Sequence, residues 1–241
     1  MNNDIQKGTL YLIPITLGET NNPLDVLPHT VKRVIEMLDI FVVENEKTAR
    51  RFIKSICPEK KQSELILLPL NKHTESSEYK EYIKPLIEGK SVGVMSEAGC
   101  PGVADPGAVI VDLAHRANIK VTPLVGPSSI LLSIMASGMN GQSFAFNGYL
   151  PIDKGEKKNA LKNLEKLSFE KNQSQLFIET PYRNNQLLQD LTTILNPNTL
   201  VCVACDITLE TEYIQTKPAA QWKNTKVDLH KRPCIFIIHK N

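Results

Sequence analysis

Five short β-rich runs alternate with helical patterns through the first half of the chain, and that alternation restricts the fold more than any other feature. The runs are Thr9–Ile13, Ile40–Val43, Leu65–Leu68, Ser91–Met95 and Lys120–Leu124. Between them, apolar residues recur three and four apart: Val31, Val34, Ile35 and Leu38, then Ala49, Phe52, Ile53 and Ile56, then Tyr79, Tyr82, Ile83 and Leu86. Positions so spaced share one helix face, so each set predicts an amphipathic helix. A fourth helix is expected from near Pro106 to about Ala117, burying Val109, Ile110 and Leu113, with the proline in its first turn where no N–H is needed. Repeated strand-helix-strand units need crossover connections, hence a mostly parallel sheet covered by helices. Ligands of such sheets bind beyond the C-terminal ends of the strands.

After Leu124 the run VGPSS leads into a helical stretch, Ile130–Ser137, stopped by Gly138. The domain junction is placed here, giving one α/β domain over residues 1–124 and a second over 125–241. The second half alternates more loosely, with strands expected at Phe144–Phe146, Gln175–Glu179, Thr199–Ala204 and Cys234–Ile238 and helices at Lys157–Leu167 and Asn184–Leu195. A length of 241 residues suffices for two real cores, and 41% hydrophobic with 22% charged residues excludes a disordered or fibrous chain. The five cysteines are odd in number and scattered, which speaks against a secreted disulfide framework and for a reducing cytoplasm. MNNDIQKGTL lacks the apolar run of a signal peptide, and Ile130–Met135 is too short to span a bilayer, so no membrane association is expected. The net charge of +2 does not by itself argue for nucleic acid.

The strongest candidate for chemistry is MSEAGCPGVADPG, Met95 to Gly107, where an apolar strand runs into three glycines and two prolines with Glu97 and Asp105 among them. Glycine permits close backbone approach and proline presets the loop. A sulfonium methyl donor carrying an adenosine and an amino acid needs backbone N–H and C=O groups and a nearby carboxylate, and this loop holds those types. The same residues also suit an ordinary strand-to-helix turn. Two further strand ends bear on the choice. PLVGPSS, Pro123 to Ser129, again follows a strand and opens a helix, its hydroxyls also suited to capping. LYLIPITLG, Leu10 to Gly18, breaks at Pro14 into a loop on the same face.

In their order, GTLYLIPITLG, MSEAGCPGVADPG, PLVGPSSILLSIMASG, FAFNGYLP, LFIETPYR and, more faintly, CDIT resemble the ribosomal RNA small subunit methyltransferase I family of the tetrapyrrole-methylase superfold, over nearly the whole chain. The resemblance implies S-adenosylmethionine bound in a cleft between two α/β domains, a homodimer, and 2′-O-methylation of a cytidine ribose in small-subunit ribosomal RNA. Carried over by position, the donor would contact Pro14, Met95, Ser96, Glu97, Val103, Ser128, Ser129, Glu179 and Cys202, and the final strand, beginning at Pro233 and Cys234, would close the adenine side. The departures cluster. ITLGETNNPLDVLPHTVKRV differs from the family's first-loop pattern and is longer, Glu44-Asn45-Glu46-Lys47 stands where the family reads Glu-Asp-Thr-Arg, and Glu97 and Cys100 replace an Asp and a Thr. They fall mainly on the acceptor side.

A ribose hydroxyl is a weak nucleophile that gains from a base or a nearby positive charge, which makes Glu44, Glu46 and Lys47 the candidate catalytic residues. The same residues suit a solvated helix N-terminus. Arg183 in ETPYR could grip a phosphate or carboxylate through its fork, or only a neighbouring acid. Lys154, Lys157, Lys158, Lys162 and Lys166 are expected on the outer face of one helix, with Lys157 and Lys158 the candidate RNA contacts; a merely solvated face has the same pattern. Cys202 and Cys205 form a C-x-x-C inside a strand with no second pair, and His29, His73, His115, His230 and His239 have no ligand spacing, so no metal is expected. Two other readings stay open: a methyltransferase with a small, tetrapyrrole-like acceptor, and a donor- or RNA-binding protein without turnover.

Overall fold

A computed structural model describes residues 6–20, 22–71, 74–75 and 78–240; Asn21, His73 and the first five residues lie outside that range. The chain forms two compact units, Met1–Ser128 and Ser129–Asn241.

In the first unit β1 (Thr9–Leu12), β2 (Ile40–Val43), β3 (Ile66–Pro69), β4 (Val92–Met95) and β5 (Lys120–Pro123) form a sheet of order β3-β2-β4-β1-β5 in which every pairing is parallel. Each strand lies within one residue of its expected position at either end. α1 (His29–Met37) and α2 (Glu46–Ile56) follow β1 and β2 and bury Val31, Ile35, Phe52 and Ile53 against one face, with Phe41 and Val43. α3 (Tyr79–Ile87) and α4 (Ala108–Arg116) follow β3 and β4 and bury Tyr82, Leu86, Ile110 and Ala114 against the other, with Leu10 and Val92. Val109 and Leu113 of α4 are only partly buried. Neighbouring strands β1 and β4 thus send their helices to opposite faces, the arrangement at whose C-terminal strand ends doubly wound sheets bind ligands.

The second unit begins with α5 (Ser129–Ser137) and continues through β6 (Phe144–Tyr149), α6 (Lys154–Lys171), β7 (Ser174–Ile178), α7 (Asn184–Ile194), β8 (Leu200–Cys205), β9 (Tyr213–Pro218), the short α8 (Ala219–Trp222) and β10 (Cys234–His239). Its sheet has the order β6-β7-β10-β8-β9; β6 and β7 are parallel and the remaining pairings antiparallel. Leu161 and Leu164 of α6, Leu187 and Leu191 of α7 and Trp222 of α8 pack on Phe177, Val203 and Phe236. Each fully buried side chain of this kind contributes roughly 1.5–3 kcal/mol relative to exposure. Asp153 caps α6 by accepting the N–H groups of Gly155 and Glu156, and Asn172 ends it in the left-handed conformation. Among the described residues no helix is long and apolar enough to cross a membrane.

Candidate active site

Three loops meet at the C-terminal edge of the parallel sheet, and backbone hydrogen bonds join them. Past β1, Ile13 N–H donates to Val94 O at 2.9 Å and Ile15 N–H to Gly99 O at 3.0 Å; past β5, Leu124 N–H donates to Leu12 O at 3.0 Å. The Cys100 thiol reaches Pro127 O at 3.4 Å. Inside the loop after β4, Gly99 and Gly102 hold φ of 72° and 80°, the left-handed region open to glycine at little cost. One oxygen of Asp105 accepts Gly102 N–H at 2.8 Å and Gly107 N–H at 2.6 Å, closing the loop on itself before α4 starts. Burial pushes the Asp105 carboxyl up from its ordinary pKa, against those two N–H groups. These bonds and the two left-handed glycines fix the conformation of the loop.

The candidate donor contacts of this unit take different roles. Ser96 is buried with its hydroxyl on Ala98 O, and Met95 lies in the core, so only its backbone can meet a ligand. Pro14 is buried, Val103 is exposed on the loop, and Ser128 ends the unit. Glu97 is exposed and engages both the end of β2 and the start of α2. Its N–H donates to Glu44 Oε1 at 3.2 Å, and its carboxylate accepts the Thr48 hydroxyl at 2.5 Å. Asn45 caps α2 by accepting Lys47 N–H at 2.9 Å, which turns the first turn so that Thr48 faces the loop. Burial pushes the Glu44 carboxyl up; the Glu97 N–H opposes this, and the charges of Asp105 and Glu97 add to it.

Of the three candidate catalytic residues, only Glu44 touches the loop. Glu46 and Lys47 are exposed on the first turn of α2, and Glu46 lies 3.8 Å from Arg50 one turn on. Thr48 and Arg51, which the sequence reading passed over, line a cavity of about 480 Å³ with Ile15, Thr16, Glu19 and Glu97. The helical phase places them four and seven residues past Glu44, a spacing visible in the sequence, although their partners, Glu97 for Thr48 and Glu19 for Arg51, were not.

In the second unit the ends of β7 and β8 and the start of β10 share an edge. Glu179 follows β7 with its side chain 1% exposed; Oε1 accepts Thr180 N–H at 2.7 Å and Arg183 Nη2 at 2.6 Å. Burial pushes the Glu179 carboxyl up, but Arg183 and the Thr180 N–H outweigh it and hold the group below its ordinary value. Glu179 Oε2 and Arg183 Nε are buried without a partner in the protein, and buried polar atoms left in that state point to a ligand or water. Asn184 donates to Arg232 O at 2.6 Å, Arg232 pairs with Asp206 at 2.7 Å, and Asp206 N–H donates to the carbonyl of exposed Pro233 at 3.0 Å. Cys234 is buried directly across the strand pair from Cys205, while Cys202, opposite Ile237, is wholly buried in mid-strand. Ser129 opens α5. Among the described residues no group of three or more His, Cys, Asp or Glu is placed to hold a metal.

The lysine face of α6 needs one correction. Lys157 is buried, 6% exposed, with its ammonium 3.2 Å from Asp190 of α7. It lies one turn before Leu161 on the stripe that packs inward, so it belongs to the helix-helix contact and cannot meet RNA. Lys154, Lys158, Lys162 and Lys166 are exposed as expected.

These groups suit a sulfonium donor. In the first unit, the carboxylates of Glu44, Glu97 and Asp105 complement a cation and the glycines leave the backbone open to it.

A family model described as Tetrapyrrole (Corrin/Porphyrin) Methylases matches residues 9–222. The protein of Vibrio cholerae named Ribosomal RNA small subunit methyltransferase I is 28% identical over 237 residues, covering 95% of this chain and 76% of its own. The protein of the same name from Buchnera aphidicola is 28% identical over 241 residues, covering 99% and 80%. Among solved structures, the methyltransferase CobJ superposes with a TM-score of 0.63 at 16% identity, covering 97% of this chain and 94% of that one. Uroporphyrin-III C-methyl transferase from Thermus thermophilus, complexed with S-adenyl homocysteine, gives 0.57 at 14% identity, covering 97% and 98%. At these identities the two structural likenesses concern the fold.

Proposed function

The chain belongs to the tetrapyrrole methylase family and is an S-adenosylmethionine-dependent methyltransferase, and from that premise we propose that it methylates the 2′-oxygen of a cytidine ribose in small-subunit ribosomal RNA. The acceptor is supported by relatives named Ribosomal RNA small subunit methyltransferase I that match 95% and 99% of this chain and 76% and 80% of their own length. The observation that carries the site is the loop Met95–Gly107, clamped by Asp105 and joined to the loops after β1 and β5.

The donor supplies a methyl group on a positively charged sulfur. Transfer forms a C–O bond as the C–S bond breaks in line with it, so holding the acceptor oxygen in that line supplies much of the rate. The hydroxyl proton must leave to a base, and Glu44 has the properties for that task. It stands beside the donor loop, and burial raises its proton affinity above that of a solvated carboxylate. Thr48 holds Glu97 in place, and Glu46 and Lys47 flank the approach. Arg183, fixed at Nη2 by Glu179, offers its remaining N–H groups to an acceptor phosphate. Pro14, Met95, Ser96, Val103, Ser128, Ser129, Cys202, Pro233 and Cys234 complete the proposed donor contacts. A cytoplasmic setting follows from such an acceptor. A homodimer belongs to the same reading, and exposed Met135, Tyr149 and Ile152 offer apolar surface for a second copy.

The test is transfer of labelled methyl to small ribosomal subunits lacking these modifications. Label is expected in the RNA, as 2′-O-methylcytidine after digestion to nucleosides. Normal donor binding with no label in RNA overturns the acceptor; label passing instead to small molecules of an RNA-depleted extract assigns it to that class.

A further inference from the structure

A row of positive charge that the site leaves unexplained lies between α6 and α7. Lys154, Lys158 and Lys162 are four residues apart, so they form one row on α6 about 12 Å long. All three are exposed, and among the described residues none forms an ion pair, whereas Lys157 is paired with Asp190 and Lys166 with Glu170. The row lines a groove of about 510 Å³ whose other wall is Gln186, Gln189 and Thr193 of α7. Asp190, the carboxylate of that groove, is already held by Lys157 at 3.2 Å and Gln186 at 2.9 Å. Of the other acids of α6 near the row, Glu156 does not line the groove and Glu165 is turned to Asn196 N–H at 2.7 Å. The groove and its floor therefore hold four lysines and one aspartate, more net positive charge than the +2 of the whole chain.

Within the second unit the groove starts at the edge that carries Glu179 and Arg183: β6 and β7 are parallel, so α6 and α7 both start at the C-terminal edge of those strands. Lys154 is at that end and Lys162 two turns away from it. Beyond Gln189 and Thr193 the groove meets a second cavity, of about 610 Å³, that shares both residues and adds Asn185, Thr192, Lys223 and Thr225. The walls mix amides and hydroxyls with the apolar Ile194, Leu188, Trp222 and Val227, and their unpaired ammonium groups suit a chain of phosphates and sugars, to which lysine binds as a point charge without regard to sequence.

We propose that the groove between α6 and α7, through Lys154, Lys158 and Lys162, binds the phosphate backbone of the substrate RNA beyond the nucleotide that is methylated. The inference rests on the RNA acceptor proposed above. It separates affinity for RNA, supplied by a tract on the helices, from the chemistry at the strand ends.

The test uses the full chain and a short fluorescently labelled single-stranded RNA, with affinity followed by anisotropy across a range of salt. Replacing the three lysines by alanine (K154A, K158A and K162A together) is expected to weaken binding on the order of tenfold to a hundredfold near 0.1 M salt. The slope of log affinity against log salt should fall by about 2, as loss of three phosphate contacts to a single strand requires. The triple arginine variant should keep both, and an unchanged unfolding midpoint shows that the alanine variant is folded. If the wild type methylates RNA while the alanine variant binds it with unchanged affinity and slope, the groove is overturned and the acceptor reading stands. If the wild type binds no RNA, both fall. If polyglutamate of similar length displaces the RNA as well as unlabelled RNA does, the groove is a site for an acidic protein surface and the proposal is overturned.

Discussion

A β-carbon on Gly126 would lie 2.3 Å from both Cβ and Cγ of Pro14, so the turn after β5 rests directly on the loop after β1. Pro14 is buried, and neither partner is a flexible side chain that can swing away. Gly126→Ala must therefore move backbone. The expected cost is about 1–3 kcal/mol of stability, as for overpacking, read as a lowered denaturation midpoint, together with weaker donor binding by calorimetry. An alanine variant with wild-type values for both would show that the loops are not mechanically joined.

Glu44 and Thr48 hold Glu97 from two sides. If Glu44 takes the acceptor proton, the transfer rate rises with pH through its pKa, which burial places above the ordinary value of 4.5. Glu44→Gln should lower kcat by about a hundredfold or more and remove that limb of the profile. Thr48→Val should weaken donor affinity about fivefold, the loss of one hydrogen bond to a charged group partly open to water. An unaltered pH profile in Glu44→Gln excludes Glu44 as the base.

Glu179 bears on stability with the opposite sign. Its carboxyl is held below the ordinary 4.5, so its contribution is fully present above that pH and is lost as pH falls through the lower folded-state value. In urea unfolding, Glu179→Gln should be flatter than the wild type below about pH 4.5. Parallel curves for the two proteins would show that Arg183 is not stabilising the ionised form.

Lys157 and Lys158 are neighbours in sequence with different fates. Lys157→Ala leaves the half-buried Asp190 without its ammonium and should cost about 1–3 kcal/mol, with RNA affinity unchanged. Lys158→Ala should leave the unfolding midpoint within experimental scatter, as for an exposed surface residue, and weaken RNA binding. Reversal of this pattern would return Lys157 to the RNA face.

The parallel sheet was legible because its inner strands β2 and β4 are apolar runs buried at every position and because helices of regular period separate the strands. β9 was not, because YIQTKP at the sheet edge is half-buried throughout and has neither an apolar run nor a clean alternation. Lys157 was misplaced because charge was read before phase, although its distance of four from Leu161 marks the buried stripe. The loop Met95–Gly107 announced itself locally, since glycine, proline and acid at those spacings carry their conformational meaning without distant partners. By itself, then, the sequence determined the strands and helices of the first unit, the glycine-proline turn of Met95–Gly107 and the family. Tertiary structure alone decided that Thr48, 49 residues from Glu97, would hold it, that Asp190 would claim Lys157, and that the row of free lysines would face α7 across a groove. Local propensity acts over a few residues. Partnerships between distant side chains are set by which strand ends and helix faces the packing brings together, and no spacing along the chain encodes that distance.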